Sequence, residues 1–299
     1  MTGDTAVSTR RLTKFYGGQR GIEDLDLDVQ PEEVFGFLGP NGAGKTTTIR
    51  MLLGLIRPTR GEATILGTQL VYGEVGRRAD IGYLPGDLAL YGRMTGEQLL
   101  GYVARLRGGV TPERYRCLAE RLGLDLTRRV QDLSRGNRQK IGLILAVFHE
   151  PEVLVLDEPT SGLDPLMQEE FLALVHEERE RGCAVFLSSH ELDEVQRVCD
   201  RVGIIREGRL VAVERVSDLL EKTPRRVSVE FGEPADLERL RGLSGVSGLE
   251  AGDGRVSFKV AGDIDPVIKA IARHRVVDVE IARPTLEEVF LTYYRRGAG

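Results

Sequence analysis

Between Asp24 and Val29 the chain alternates, with Leu25, Leu27 and Val29 set against Asp24, Asp26 and Asp28. A period of two predicts a strand with one face in a core and the other in water. The run VFGFLG at 34–39 has no polar alternate and predicts a strand buried on both faces, as do VLVLD at 153–157 and AVFLSS at 184–189. Helical patterns lie between and after these runs, so the expected fold class is α/β, a sheet covered by helices on both sides. Asp164 and Pro165 predict a helix start, the carboxylate as cap and the proline in the first turn. Phe171, Leu174 and Val175 then share one face, and Gly182 ends the helix.

From about 87 to 151 the strand signal disappears, and TGEQLLGYVARLRG and PERYRCLAERLGL read as helices. This segment is expected to be a helical subdomain inserted between strands. Past Thr223-Pro224 the order becomes strand, helix, two strands across a Gly-Asp-Gly turn, helix, strand. That is the split βαβ order of a small ferredoxin-like α+β domain. The expected division is therefore 1–222 and 223–299, with a last helix over TLEEVFLTYY.

Composition narrows the function. At 299 residues the length suits one large domain plus a small one. A net charge of -5 argues against a chain that coats nucleic acid, so no nucleic-acid partner is expected. The odd number of cysteines, Cys117, Cys183 and Cys199, has no zinc-type spacing and reads as reduced thiols. The N-terminal stretch lacks the apolar core of a signal peptide, and the longest uncharged apolar run, Ile141 to Phe148, is too short to span a membrane. A cytoplasmic chain is expected; if it serves a membrane, another subunit spans it.

Only six of the 41 basic residues are lysine, which gives weight to where Lys45 falls. GPNGAGKT at 39–46 follows a predicted strand and opens an apolar helix through Ile49, Leu52, Leu53 and Ile56. This is a phosphate loop: the stretch Gly39, Pro40, Asn41, Gly42, Ala43, Gly44 and on to Thr47 wraps an anion with the backbone N–H groups of its non-proline residues, Lys45 reaches the outer phosphates, and Thr46 offers a hydroxyl to Mg²⁺. Such a loop needs an acid at a strand end for the metal. Asp157 supplies it, and Glu158 is placed to take a proton from an attacking water. Read as two surface acids before a turn, they would leave the four apolar residues before them unexplained. His190 ends the next apolar run; spacing alone leaves it open between a structural ring and a contact to the terminal phosphate.

With those four residues in place, the chain resembles the ATPase subunits of ATP-binding cassette (ABC) transporters. LSRGN at 133–137 is similar to that family's signature stretch, most often Leu-Ser-Gly-Gly-Gln. The resemblance implies a cassette with an N-terminal antiparallel β subdomain, and head-to-tail pairing with a second copy or a homologous cassette. Each ATP would then lie between one chain's Lys45 loop and the other's Ser134, Gly136 and Asn137. It further implies that SGLDP at 161–165 crosses the dimer, so that Asp164 both caps its helix and touches the partner, and that Tyr16 stacks on adenine, against the alternative of a core aromatic. Arg135 and Asn137 depart from the family pattern, and Arg138 and Lys140 are read as solvated first-turn charges. In IGYLPGDL the family's glutamine is replaced by Gly86, and Asp87 is expected to take over its metal contact. RPTLEEVFL at 283–291 resembles the tail of ATPases that power drug and polysaccharide export. The implied activity is ATP hydrolysis that drives an integral membrane permease from the inner face of the membrane. Two rivals are a soluble cassette ATPase acting on nucleic acid or ribosomes, and a nucleotide-sensing module with little turnover.

Overall fold

The computed structural model describes residues 5–73, 79–233, 237–252 and 254–295. They form two compact units, residues 1–214 and 215–299. The division falls earlier than the expected 222/223 because the helix Val216–Lys222 (α7) packs against the last helix, Leu286–Arg295 (α10), within the second unit.

The first unit contains two sheets. Strands Val7–Tyr16 (β1), Gln19–Val29 (β2), Arg60–Ile65 (β4) and Thr68–Gln69 (β5) form an antiparallel sheet in the order β2-β1-β4-β5. In β2 the alternation appears as expected, Leu25, Leu27 and Val29 buried and Asp24 and Asp26 outside. The second sheet has the order β10-β9-β3-β8-β7-β6. Its strands are Val34–Leu38 (β3), Ile81–Leu84 (β6), Val153–Asp157 (β7), Ala184–Ser189 (β8), Arg201–Arg206 (β9) and Arg209–Arg215 (β10). β3, β7 and β8 are buried along their whole length. Helices on both faces were expected, but Phe35, Phe37, Val155 and Phe186 share one core with Leu12, Leu25 and Ile65 of the antiparallel sheet and with Ile49 and Leu52, while Gly36 faces Val195 and Cys199 on the other side. Phe37 and Phe186 meet at 5.3 Å between ring centroids across β3 and β8, and each fully buried ring contributes about 1.5–3 kcal/mol.

Pairing is parallel between β3 and β8, β3 and β9, β7 and β8, and β6 and β7. All these strands therefore end at one edge of the sheet. No named strand lies between Leu84 and Val153, where the helices Gly96–Arg107 (α2), Pro112–Arg121 (α3) and Arg135–Val147 (α4) occur. α4 lies against β6 because Gly82 has no side chain: a Cβ there would sit 2.1 Å from the Ala146 carbonyl oxygen. The predicted helix after Asp164 is Pro165–Glu180 (α5).

The second unit carries β11 (Arg225–Phe231), α8 (Leu237–Arg241), β12 (Val246–Gly252), β13 (Arg255–Val260), α9 (Asp265–Ile271) and β14 (Val276–Ala282). Its antiparallel order β12-β13-β11-β14 is the ferredoxin-like order. Asp253 of the Gly-Asp-Gly turn lies outside the described residues. Val227, Val229, Phe258, Val260 and Val267 form the core of this unit. Its charges sit in exposed pairs such as Arg255 with Asp278 at 2.7 Å and Lys269 with Asp265 at 2.7 Å, each worth 0–1 kcal/mol by the usual measure of about that size.

His149, just past α4, sits with its Nε2 3.3 Å from the Ile81 carbonyl oxygen. Burial, with Arg107 nearby, lowers its pKa from 6.5 to about 4. The neutral ring is thus favoured in the fold, and the stability it contributes is present above the unfolded value and lost as pH falls toward the folded one. After a discount for partial exposure the loss is ~1–2 kcal/mol. Urea unfolding from about pH 7 to about pH 4.5 should fall more steeply for the parent than for His149→Gln. Parallel curves would remove His149 from this role.

Candidate nucleotide-binding and active site

β3 delivers the chain to the loop 39–44, and the helix Lys45–Leu52 (α1) follows. Gly44 is left-handed at φ 114° and a Cβ on it would meet Ile22 Cγ2 at 2.6 Å, so glycine alone fits. No side chain caps α1 and its first turn has no acid, which leaves its leading N–H groups and the positive end of its dipole for an anion. Pro40, Asn41, Gly42, Gly44, Lys45, Thr46 and Thr47 line an open cavity of about 320 Å³, together with Arg20, Gly21 and Glu158. Gly39 and Ala43 are buried beneath the loop.

Lys45 is buried and donates to the Gly39 carbonyl at 2.6 Å, while its Nζ stands 3.0 Å from Glu158 Oε1. Thr46 Oγ1 donates to Asp157 Oδ2 at 2.9 Å, and Ser188 Oγ donates to Asp157 Oδ1 at 2.6 Å. Both carboxylate oxygens of a residue only 2% exposed are thereby satisfied. Adjacent strand residues point to opposite faces, yet Asp157 and Glu158 both serve this site. The reason is local: Glu158 leaves β7 in the left-handed region, φ 52°, with its N–H donating to the Ser188 carbonyl at 3.0 Å. That conformation costs about 1–2 kcal/mol for a residue with a Cβ and persists because Ser188, Lys45 and His190 fix it. His190 Nδ1 pairs with Glu158 Oε2.

A second cavity of about 420 Å³ adjoins the first and is lined by Thr46, Asp157, Glu158, His190, Asp87 and Gly86 among others. A Cβ on Gly86 would stand 3.6 Å from Asp157 Oδ2, so a side chain there would point at the carboxylate. Tyr83 lines the same cavity; burial and the charge of Asp157 push its phenol up to about 12, so it stays a hydrogen-bond donor. Among the described residues no cluster of three His, Cys, Asp or Glu side chains could hold a metal alone.

Ser134 caps α4, its Oγ accepting from the Asn137 N–H at 3.2 Å. On the side where a side chain would stand, Gly136 packs against the loop after Glu158: a Cβ there would lie 2.9 Å from the Gly162 carbonyl oxygen. Arg135 Nη2 donates to Ser161 Oγ at 2.8 Å. Arg138 and Lys140 are not simply solvated. Both are half-buried, and they donate to the carbonyls of Leu133 at 3.1 Å and Leu122 at 2.7 Å, completing ends that helices leave unpaired. Asp164 caps α5 by accepting from the Met167 N–H at 3.0 Å. Tyr16 is not in the core; it is 49% exposed at the end of β1, with Lys14 Nζ 5.2 Å from its ring centroid.

Ser188, Gln139 and Glu194 were not singled out by the sequence pattern. Gln139 is buried and donates to the Pro159 carbonyl at 2.9 Å. Polar residues closing an otherwise apolar run, as Ser188 and Ser189 close β8, are the available signal.

The profile of the ABC transporter family matches residues 22–161. Over 96% of its length the chain is 35% identical to an uncharacterised ABC transporter ATP-binding protein, YhcH of Bacillus subtilis, covering 95% of that protein. The chain belongs to the ABC transporter ATP-binding proteins. This cassette is also 39% identical to the bacitracin transport ATP-binding protein BcrA of Bacillus licheniformis, over 74% of this chain and 73% of that one. A solved ATP-binding subunit of an ABC transporter superposes with a TM-score of 0.67 at 32% identity, covering 72% of this chain and 92% of the other. The phosphate loop, Asp157, Glu158 and His190 thus belong to an ABC-type ATPase. No helix among the described residues is long and apolar enough to cross a membrane.

Ser188→Ala would leave Asp157 Oδ1 buried without a donor and should cost about 1–3 kcal/mol in thermal unfolding. An unchanged melting temperature would show that another donor takes its place.

Proposed function

We propose that this cassette hydrolyses ATP to drive a separate integral membrane permease, working on the inner face of the membrane as an exporter. The observation that carries this reading is the meeting of Lys45, Thr46, Asp157, Glu158 and His190 at one sheet edge, within hydrogen-bond reach of one another. The bacitracin-transport relative and the tail RPTLEEVFL favour export. The cassette is assigned to residues 1–214 with its helical subdomain at about 87–151, and residues 215–299 to an accessory domain.

Triphosphate lies along the N–H groups of the loop, with adenine against Tyr16. Phosphate oxygens draw Lys45 Nζ away from the Gly39 carbonyl and from Glu158, and the ammonium then offsets charge on the transferring group. The Thr46 hydroxyl beside Asp157 Oδ2 is a pair of hard oxygen donors, which suits Mg²⁺ held by few protein ligands plus phosphate and water. Thr46 and Asp157 would hold it, with Asp87 through a water. When bound, the metal supplies positive charge to the phosphate oxygens. Glu158, released by Lys45 and oriented by His190, accepts the proton of an in-line water. The opposite wall of the site is the α4 end of a second copy, presenting the partner's Ser134, the partner's Gly136 and the partner's Asn137, while Asp164 faces that copy.

Glu158→Gln should bind ATP as the parent does and lose sustained phosphate release by roughly 100-fold or more. Normal hydrolysis would remove Glu158 from the base role. Asp87→Ala should weaken the response of turnover to Mg²⁺; identical titrations would discard the contact assigned to Asp87.

A further inference from the structure

The loop that joins β7 to α5 is fastened from two sides within the chain. From α4, Gln139 Nε2 donates to the Pro159 carbonyl at 2.9 Å, Arg135 Nη2 donates to Ser161 Oγ at 2.8 Å, and Gly136 packs against the Gly162 carbonyl. From the other side comes one residue of the helix Leu192–Val198 (α6), Glu194. Its Oε2 accepts from Thr160 Oγ1 at 3.1 Å and from Ser189 Oγ at 3.0 Å. Ser189 directly precedes His190, and its hydroxyl also accepts from the Glu191 N–H at 2.9 Å, so the serine is fully engaged. Thr160 lies two residues after Glu158. Both hydroxyl-bearing residues are buried.

Glu194 is an expensive choice for such a place. Its second oxygen, Oε1, is buried with no partner among the described residues. Burial pushes its carboxyl up to about 7 despite the two hydroxyl donors. An apolar residue would fill the space without that penalty, but it could not join two loops through one atom.

We infer that Glu194 is a positioning residue that couples the His190 end of β8 to the loop 158–164, so that the two shift together when His190 engages phosphate. The movement then reaches α4 through Pro159 and Ser161, and with it the Ser134 end offered to the second copy. The inference rests on the proposed role of His190 at the phosphate. The hydrogen bonds of Glu194 run to Thr160 and Ser189, not to the loop of Lys45 or the carboxylates of Asp157 and Glu158.

The test uses the full chain, a non-hydrolysable ATP analogue with Mg²⁺, and amide hydrogen exchange. In the parent, analogue should change exchange in residues 186–191 and in residues 158–164 together. In Glu194→Ala it should change the first segment and Glu158, which faces the phosphate cavity directly, and leave residues 159–163 as in the free protein. Turnover should fall roughly tenfold at unchanged KM and unchanged analogue affinity. Glu194→Gln, which keeps one oxygen for both hydroxyls, should restore the joint response and most of the turnover. If Glu194→Ala fails to fold, Thr160→Val and Ser189→Ala each remove a single hydroxyl and should give the same split. A response of 159–163 to analogue that is intact in these variants overturns the inference, as does equal damage to melting temperature and analogue affinity without the split. A parent without turnover, or one indifferent to Glu158→Gln, would instead fault the assignment of function, and the exchange measurement would still decide Glu194.

Discussion

Because β3, β8, β7 and β6 are neighbours and run parallel, their carboxyl ends leave the sheet at the same edge. Everything at the site follows from that. β3 brings the phosphate loop, β8 brings Ser188 and His190, β7 brings Asp157 and Glu158, and β6 brings Gly86 and Asp87. Segments more than a hundred residues apart thus supply donors and acceptors to one another, as Thr46 does to Asp157. The register is held by strands with no polar face. A slip of one residue in β7 or β8 would leave their apolar side chains buried either way but would part Ser188 from Asp157.

Charges at this edge are arranged to be shared. Lys45 is almost wholly buried, and its ammonium is met by the Gly39 carbonyl and by Glu158. Glu158 in turn meets both Lys45 and His190. A phosphate group entering this cluster competes with Glu158 for the same ammonium, so occupancy of the loop and freedom of the carboxylate are linked by simple electrostatics. The left-handed backbone at Glu158 keeps that carboxylate on the side of Asp157.

The helical segment is tied to the edge by steric absence as much as by bonds. Gly82 lets α4 approach β6, and Gly136 lets its first turn approach Gly162. Gln139 and Arg135 then complete the join. The helix that Ser134 caps is therefore part of the same hydrogen-bonded body as the loop after Glu158, which gives a physical route between the cavity at the phosphate loop and the Ser134 end of α4.

Much of this was legible along the chain, because the relevant signals are local. Period two in β2, wholly apolar β3, β7 and β8, the Asp164-Pro165 start of α5 and the glycine spacing before Lys45 each follow from short-range sterics and burial. The ferredoxin-like order of the second unit was readable for the same reason. What the chain could not show was which residues far apart in sequence would share a hydrogen. Arg138 and Lys140 looked like solvated first-turn charges, but both donate to carbonyls, and the Leu122 carbonyl that Lys140 meets comes near only through the packing of α3 on α4. The junction at 222/223 moved because α7 found α10. Local sequence determined the elements, the phosphate loop and the acids at the strand end; the tertiary structure alone decided the turn of Glu158 toward Asp157, and the partners of Ser188, Gln139 and Glu194, since those depend on which strand ends the parallel sheet sets side by side.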